Sequence, residues 1–241
     1  MDDLTGTILA ICIAAVLSLV ARKKGFLTDS GIALSFASAA VIAFCGGFWW
    51  FIAYLLFPIL GFAATFTKIK KKKDLGLQEG RSGERSYANI IGVGTVPVII
   101  SILYYAGGCT SQCLAVAFLS AVCVSLADTI SSEIGVFDRN VWMITTLKRT
   151  EPGINGGVSR LGLLSSAAVS AVFSIAVWFI TDCGPLLSAF IIWVCGMAGN
   201  LLDSVVGAVW ENKGKISKYG TNMVTVLAGA VIGFVLCRLF L

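Results

Sequence analysis

The chain has 241 residues, of which 57% are hydrophobic and 13% charged, with a formal net charge of +5 and no histidine. Soluble domains carry about 25% charged residues, so the composition excludes a water-soluble enzyme and a nucleic-acid-binding domain. It fits one polytopic membrane domain over residues 1–241. Without histidine there are no imidazole metal ligands, no His base and no phosphohistidine intermediate.

Apolar stretches at 4–21, 31–45, 47–66, 88–106, 112–128, 158–181, 185–207 and 222–240 predict an all-α bundle of about eight transmembrane segments. A spanning helix needs about 20 residues, or about 17 at the short end. The first stretch lacks a basic leader and runs into Arg22-Lys23-Lys24 without a small-residue cleavage site, so it reads as an anchor and not as a removable signal peptide. The stretch 31–45 is short, but leaving it out would invert every later loop. With all eight in place, every Lys and Arg of the 18 except Arg238 falls on one face. The positive-inside rule makes that face cytoplasmic, puts the N-terminus outside, and predicts a multi-pass protein of the cell membrane. The opposite loops, around Gly46-Gly47, Gly107 to Ser111 and Asp182 to Gly184, are too small for an outer catalytic domain. Chemistry is therefore expected in cytoplasmic loops 67–87, 129–157 and 208–221.

Five of the eight cysteines, Cys12, Cys45, Cys123, Cys195 and Cys237, lie in or at the ends of apolar segments, where cysteine acts as a small hydrophobe. Cys109, Cys113 and Cys183 fall on the outer face, where a disulfide stays open but a zinc pattern is missing. A metal here must be held by oxygen, which suits Mg²⁺.

Two helices descending to the basic face end alike, Leu126-Ala127-Asp128-Thr129-Ile130 and Leu201-Leu202-Asp203-Ser204-Val205. Each is followed by a basic loop and a rising helix opened by Gly157-Val158-Ser159 or Gly220-Thr221-Asn222, which suggests parallel helix-loop-helix repeats. Thr28-Asp29-Ser30-Gly31 and Ser86-Tyr87-Ala88-Asn89 open the other two rising helices. All four helix N-termini thus point at one surface. Such ends bind phosphate, although Ser, Thr and Asn there also serve as ordinary caps.

In Glu79-Gly80-Arg81-Ser82-Gly83-Glu84-Arg85, the glycines allow close backbone approach and the arginine forks suit phosphate oxygens. The preceding Lys70 to Lys73 reads as a topology signal or an anionic-lipid contact. Asp128 and Glu133 are about 140° apart on a regular helix, so they share a face only if it unwinds. Asn200, Asp203, Ser204, Gly207 and Glu211 recur at helical spacing below Gly196 and Gly199. Helix packing accounts for the glycines but not for Asp203, since an intramembrane carboxylate is costly and calls for a cation. Lys148-Arg149-Thr150-Glu151-Pro152-Gly153-Ile154-Asn155-Gly156-Gly157-Val158-Ser159-Arg160 has the ingredients of a phosphate cradle without the spacing of a Walker loop.

The ordered set EGRSGER (79–85) with Asn89, ADTISSEIG (127–135), PGINGGVSRLG (152–162) and GNLLDSVVGA (199–208) resembles the phytyl-phosphate kinase family of plants and cyanobacteria, over roughly residues 20–230. More distantly, an acidic helix end before a Lys- and Gly-rich loop resembles the membrane-bound prenol and dolichol kinases, which use CTP. The resemblance implies phosphoryl transfer from a nucleoside triphosphate, CTP favoured, to an isoprenyl or phytyl monophosphate. It points to Arg81, Arg85, Asn89, Asp128, Glu133, Gly156, Gly157, Ser159, Asp203 and Asn222. Where the family pattern has a second asparagine three residues after Asn222, this chain has Thr225. The chemistry of the residues agrees. Asp128 and Asp203 are expected to bind Mg²⁺, Glu133 to be a further catalytic or ligand residue, and Lys148, Arg149, Arg81 and Arg85 to clamp the phosphates. The partners implied are a nucleoside triphosphate, an isoprenyl-phosphate lipid and membrane lipid. Alternative enzymes with the same ingredients are a prenol kinase and a CTP-dependent lipid cytidylyltransferase. The alternative outside enzymes is a transporter of a phosphorylated lipid or anion.

Overall fold

The structure is a computed structural model, and it describes residues 3–74, 76 and 83–241, the side chains of Asp3 and Lys71 aside. Its helices are α1 (Asp3–Lys24), α2 (Asp29–Gly46), α3 (Phe48–Phe66), α4 (Ile69–Asp74), α5 (Tyr87–Ala106), α6 (Gln112–Gly135), α7 (Arg160–Ile180), α8 (Leu187–Val209) and α9 (Lys218–Phe240). All except the short α4 are long and apolar enough to cross a membrane. The 18 residues of α2 form an unbroken helix. At 1.5 Å per residue it is about 27 Å long, close to the ~30 Å hydrocarbon core.

Helix α6 is the axle of the bundle. From Ala115 to Ala127 every side chain is buried, and α3, α5, α7, α8 and α9 all pack around it. Small residues permit that crowding. A Cβ on Gly196 of α8 would meet Cys123 Sγ at 2.5 Å, and one on Gly199 would run into Val124. Gly229 and Gly233 of α9 are pressed in the same way against Val124 and Ser120. In lipid, where tails are as apolar as the helices, such close backbone approach is a main source of association. Helices α1, α2 and α3 form a second layer around Ala10, Ala14, Ala39, Ala43 and Phe51. All eight cysteines are free thiols.

Three of the four rising helices are capped by one device. Thr28, Ser159 and Ser217 each accept the backbone N–H of a glycine three residues on, Gly31, Gly162 and Gly220, at 3.2, 3.0 and 3.2 Å. On α5 the cap is reversed, because Asn89 Oδ1 accepts from the Ser86 backbone at 2.9 Å.

Helix α6 runs on through Gly135, past the boundary at 128 that hydropathy suggests, and without unwinding between Asp128 and Glu133. The connection to α7 is also more ordered than a plain loop. Strands β1 (Val141–Met143), β2 (Arg149–Thr150) and β3 (Gly157–Ser159) make an antiparallel sheet in the order β2-β1-β3. Val141 pairs with both Thr150 and Ser159. The last residue of β3 is therefore also the cap of α7, which fixes the glycine segment between β2 and β3 against the helix ends.

Candidate functional site

A polar cavity of about 200 Å³ opens at the ends of α6, α8 and α9, on the face that carries the basic loops. Its floor is acidic. Asp203 of α8 interacts directly with Asp128 of α6 and lies within Coulomb range of Glu211. Thr225 of α9 donates from Oγ1 to Asp203 Oδ1 at 3.2 Å, so the residue that departs from the family pattern stands on the aspartate pair. Two carboxylates in contact repel unless a proton or cation lies between them. Asn200, Ser204, Ser131 and Asn222 line the same space and add neutral oxygens.

Such a donor set fits Mg²⁺, which takes one or two carboxylates and fills its other positions with water and substrate phosphates. Among the described residues no group of three or more His, Cys, Asp or Glu is clustered as for an all-protein metal cage, and an octahedral ion shared with a nucleotide does not need one.

The roof is the segment from Pro152 to Gly157. Gly156 has φ +83°, the left-handed region that glycine tolerates, and a Cβ there would strike Ala208 Cβ at 2.5 Å and Ser204 O at 2.8 Å. The segment therefore lies on the backbone of α8, one turn from Asp203. Asn155 locks it in place by donating from Nδ2 to Glu211 Oε1 at 2.9 Å and accepting from Asn212 at its carbonyl. Ser159 Oγ donates to Gly135 O at 3.3 Å while capping α7, which ties the end of α6 to the start of α7.

The sequence-derived residues divide into groups. Asp128, Glu133, Gly156, Gly157, Ser159, Asp203 and Asn222 surround this cavity. Arg85 and Asn89 line a different, apolar cavity between α1, α2, α3 and α5. Lys148 and Arg149 lie on the β1–β2 hairpin and line neither, and the Arg149 guanidinium stacks over Trp142 at 5.6 Å. Arg81 lies outside the described residues.

Glu133 has partners unlike those of Asp128. Its carboxylate accepts from Lys72 Nζ at 2.5 Å and from Thr65 Oγ1 at 2.7 Å. Lys72 is 1% exposed and also donates to the carbonyls of Ala64 and Thr65 at the end of α3. Arg85 reaches the same hydroxyl, donating to Thr65 Oγ1 at 3.3 Å. A continuous chain Lys72–Glu133–Thr65–Arg85 thus joins the two cavities. Lys72 and Thr65 carried no distinguishing signal in the sequence, one being a member of a lysine run and the other a hydroxyl in an apolar helix. The three cap pairs of Ser or Thr with Gly at i+3 were readable as a repeated pattern.

A model of the integral membrane protein family DUF92 matches residues 12–238. The chain belongs to this family. It is 29% identical over 234 residues to an uncharacterized membrane protein of Methanocaldococcus jannaschii, covering 97% of this chain and 95% of that one. It is also 29% identical over 205 residues to the chloroplastic protein VTE6 of Arabidopsis thaliana, covering 83% of this chain and 61% of VTE6. Protein PGR of the same plant is 27% identical over 230 residues, 86% of this chain and 80% of that one. No solved structure matches. The family is one of integral membrane proteins, in keeping with the eight helices of this chain that are long and apolar enough to cross a membrane.

Proposed function

We propose that this DUF92 chain is a membrane phosphotransferase that moves a phosphoryl group from a nucleoside triphosphate, CTP favoured, to an isoprenyl or phytyl monophosphate. The observation that carries the reading is the Asp128–Asp203 pair under a glycine segment that ends on the N-terminus of α7. Phosphoryl transfer consists mostly of positioning and charge neutralisation, and this site offers both. The likeness of its ordered motifs to the phytyl-phosphate kinase family supports the acceptor class. The more distant likeness to prenol and dolichol kinases supports CTP.

Asp128 and Asp203 would hold Mg²⁺, which when bound would neutralise the donor phosphates. Thr225 orients the Asp203 carboxylate, and the backbone of 153–157 and the α7 end cradle the phosphate chain. The cavity, at about 200 Å³, is below the about 300–1,000 Å³ of clefts that enclose whole small molecules. It encloses the triphosphate end and leaves the nucleoside over the loops. An oxygen of the acceptor phosphate attacks the γ-phosphorus, the bond from that phosphorus to the β–γ bridging oxygen breaks, and the diphosphate nucleotide leaves with the electron pair. The acceptor monophosphate carries about −1.5 to −2 charge at neutral pH. It needs no base, in keeping with a chain without histidine.

Purified protein in detergent with labelled CTP or ATP, Mg²⁺ and matched prenyl alcohols and monophosphates tests this. Label is expected in the prenyl diphosphate. Label in the monophosphate, from an alcohol acceptor, would make the protein a prenol kinase, and no label in any lipid would remove the kinase reading.

The same proposal puts the basic face in the cytoplasm of a cell-membrane protein whose N-terminus is outside. Cys109 is exposed on the far face, and Leu147 at the β1–β2 hairpin is 79% exposed. A membrane-impermeant maleimide is expected to label Cys109 in intact cells, and a Leu147→Cys side chain in a Cys109→Ser background only after permeabilisation. The opposite pattern would invert the topology and put the site on the wrong side for cytoplasmic nucleotide.

A further inference from the structure

The apolar cavity between α1, α2, α3 and α5 has about 430 Å³, within the range of ligand clefts. On α3 its lining runs from Phe51 to Phe66, about 22 Å at 1.5 Å per residue. It therefore passes the midplane of a ~30 Å core and is deep enough for one long hydrocarbon chain. Among the described residues that line it, Arg85 is the only charged one, and Asn89 lies at the same end. That end is the basic face, where Phe26 packs on Phe62 and Phe66 with ring centroids 5.2 and 4.7 Å apart. The Arg85 guanidinium rests over Phe62 at 5.4 Å and, through Thr65, reaches Glu133 on the wall of the polar cavity.

We infer that this groove binds the single long hydrocarbon chain of an anionic isoprenoid lipid, with Arg85 holding its phosphate at the basic end. A single groove takes one chain, whereas a phospholipid brings two. The Arg85 guanidinium selects a phosphate head over an alcohol, because a fork of N–H donors matches phosphate oxygens bidentately. Thr65, bonded to both Arg85 and Glu133, sets that head beside the cavity that holds Asp128 and Asp203. The inference rests on the proposed kinase reading for the acceptor's identity alone, since groove and guanidinium stand independently of catalysis.

The test is equilibrium binding of labelled phytyl monophosphate to purified protein in detergent without nucleotide, with phytol, inorganic phosphate and dioleoyl phosphatidic acid as competitors. Ala63 of α3 is exposed and lines the groove, and Ser18 lines it on α1. Ala63→Trp and Ser18→Trp fill the groove from two different helices without entering the close-packed core around α6. Each is expected to weaken phytyl monophosphate binding at least about ten-fold with unchanged thermal unfolding, and two positions guard against one variant misfolding. Arg85→Lys is expected to weaken the monophosphate while leaving phytol unaffected. Wild-type affinity in both tryptophan variants, or phosphatidic acid competing as well as phytyl monophosphate, would overturn the inference. Binding without phosphoryl transfer would leave the groove assigned and remove the kinase. Transfer with an acceptor KM untouched by either tryptophan would do the reverse.

Discussion

Asp203→Asn is expected to lower phosphoryl transfer by about 10²–10³-fold, the size seen when one preorganised electrostatic contact to a transition state is removed. The fold should survive, because Asn keeps the shape and the Thr225 hydroxyl still has an oxygen to donate to. Stability without metal should hold or rise, since the change removes one of two carboxylates in contact. Asp128→Asn should behave alike, and the double variant should be little worse than either single one, as for residues that act as a unit. Thermal unfolding against Mg²⁺ gives a readout independent of turnover. Wild type should gain about 2.7 kcal/mol at a hundred-fold excess over Kd, and the variants should stay flat. Full activity in Asp203→Asn would leave the residue with a packing role only.

The spans were legible because lipid demands long apolar runs, and the aspartates because a charge in such a run has no cheap explanation. The glycine roof was legible as a composition but not as a sheet. Strands of two and three residues show no alternation, and β2-β1-β3 lies between the end of α6 and the start of α7. The same hairpin explains why Lys148 and Arg149, close in sequence to the glycines, do not line the polar cavity. Nor does sequence spacing reveal that Asp128 and Glu133 serve different partners. On a straight helix they diverge, and only the placement of α3 and α4 beside α6 determines what Glu133 meets. Arg85 and Asn89 were readable as a polar helix start, but the groove they close needs three other helices to exist.

Lys72 is the clearest case of a residue that tertiary structure singles out from identical neighbours, and it carries the largest expected stability effect. Its ammonium is buried, paired with Glu133 and bonded to the carbonyls of Ala64 and Thr65. A cation at those carbonyls also complements the end of α3. Breaking a buried pair by removing one partner leaves a buried charge without its counter-ion, at about 3–5 kcal/mol. Lys72→Met is therefore expected to lower the midpoint of thermal unfolding by about 6–20 °C, at about 2–4 °C per kcal/mol for a chain of this size. Glu133→Gln should cost less, because the ammonium retains its two carbonyls. Replacing both, Lys72→Met with Glu133→Leu, should recover most of the loss, since an apolar pair often stabilises as well as a buried ionic one. Lys70→Met and Lys73→Met, at exposed positions of the same run, should change little. If Lys72→Met were to unfold within about 1 kcal/mol of wild type, the pair would have the worth of an exposed one. The Lys72–Glu133–Thr65–Arg85 chain would then be too weak to hold the two cavities in register.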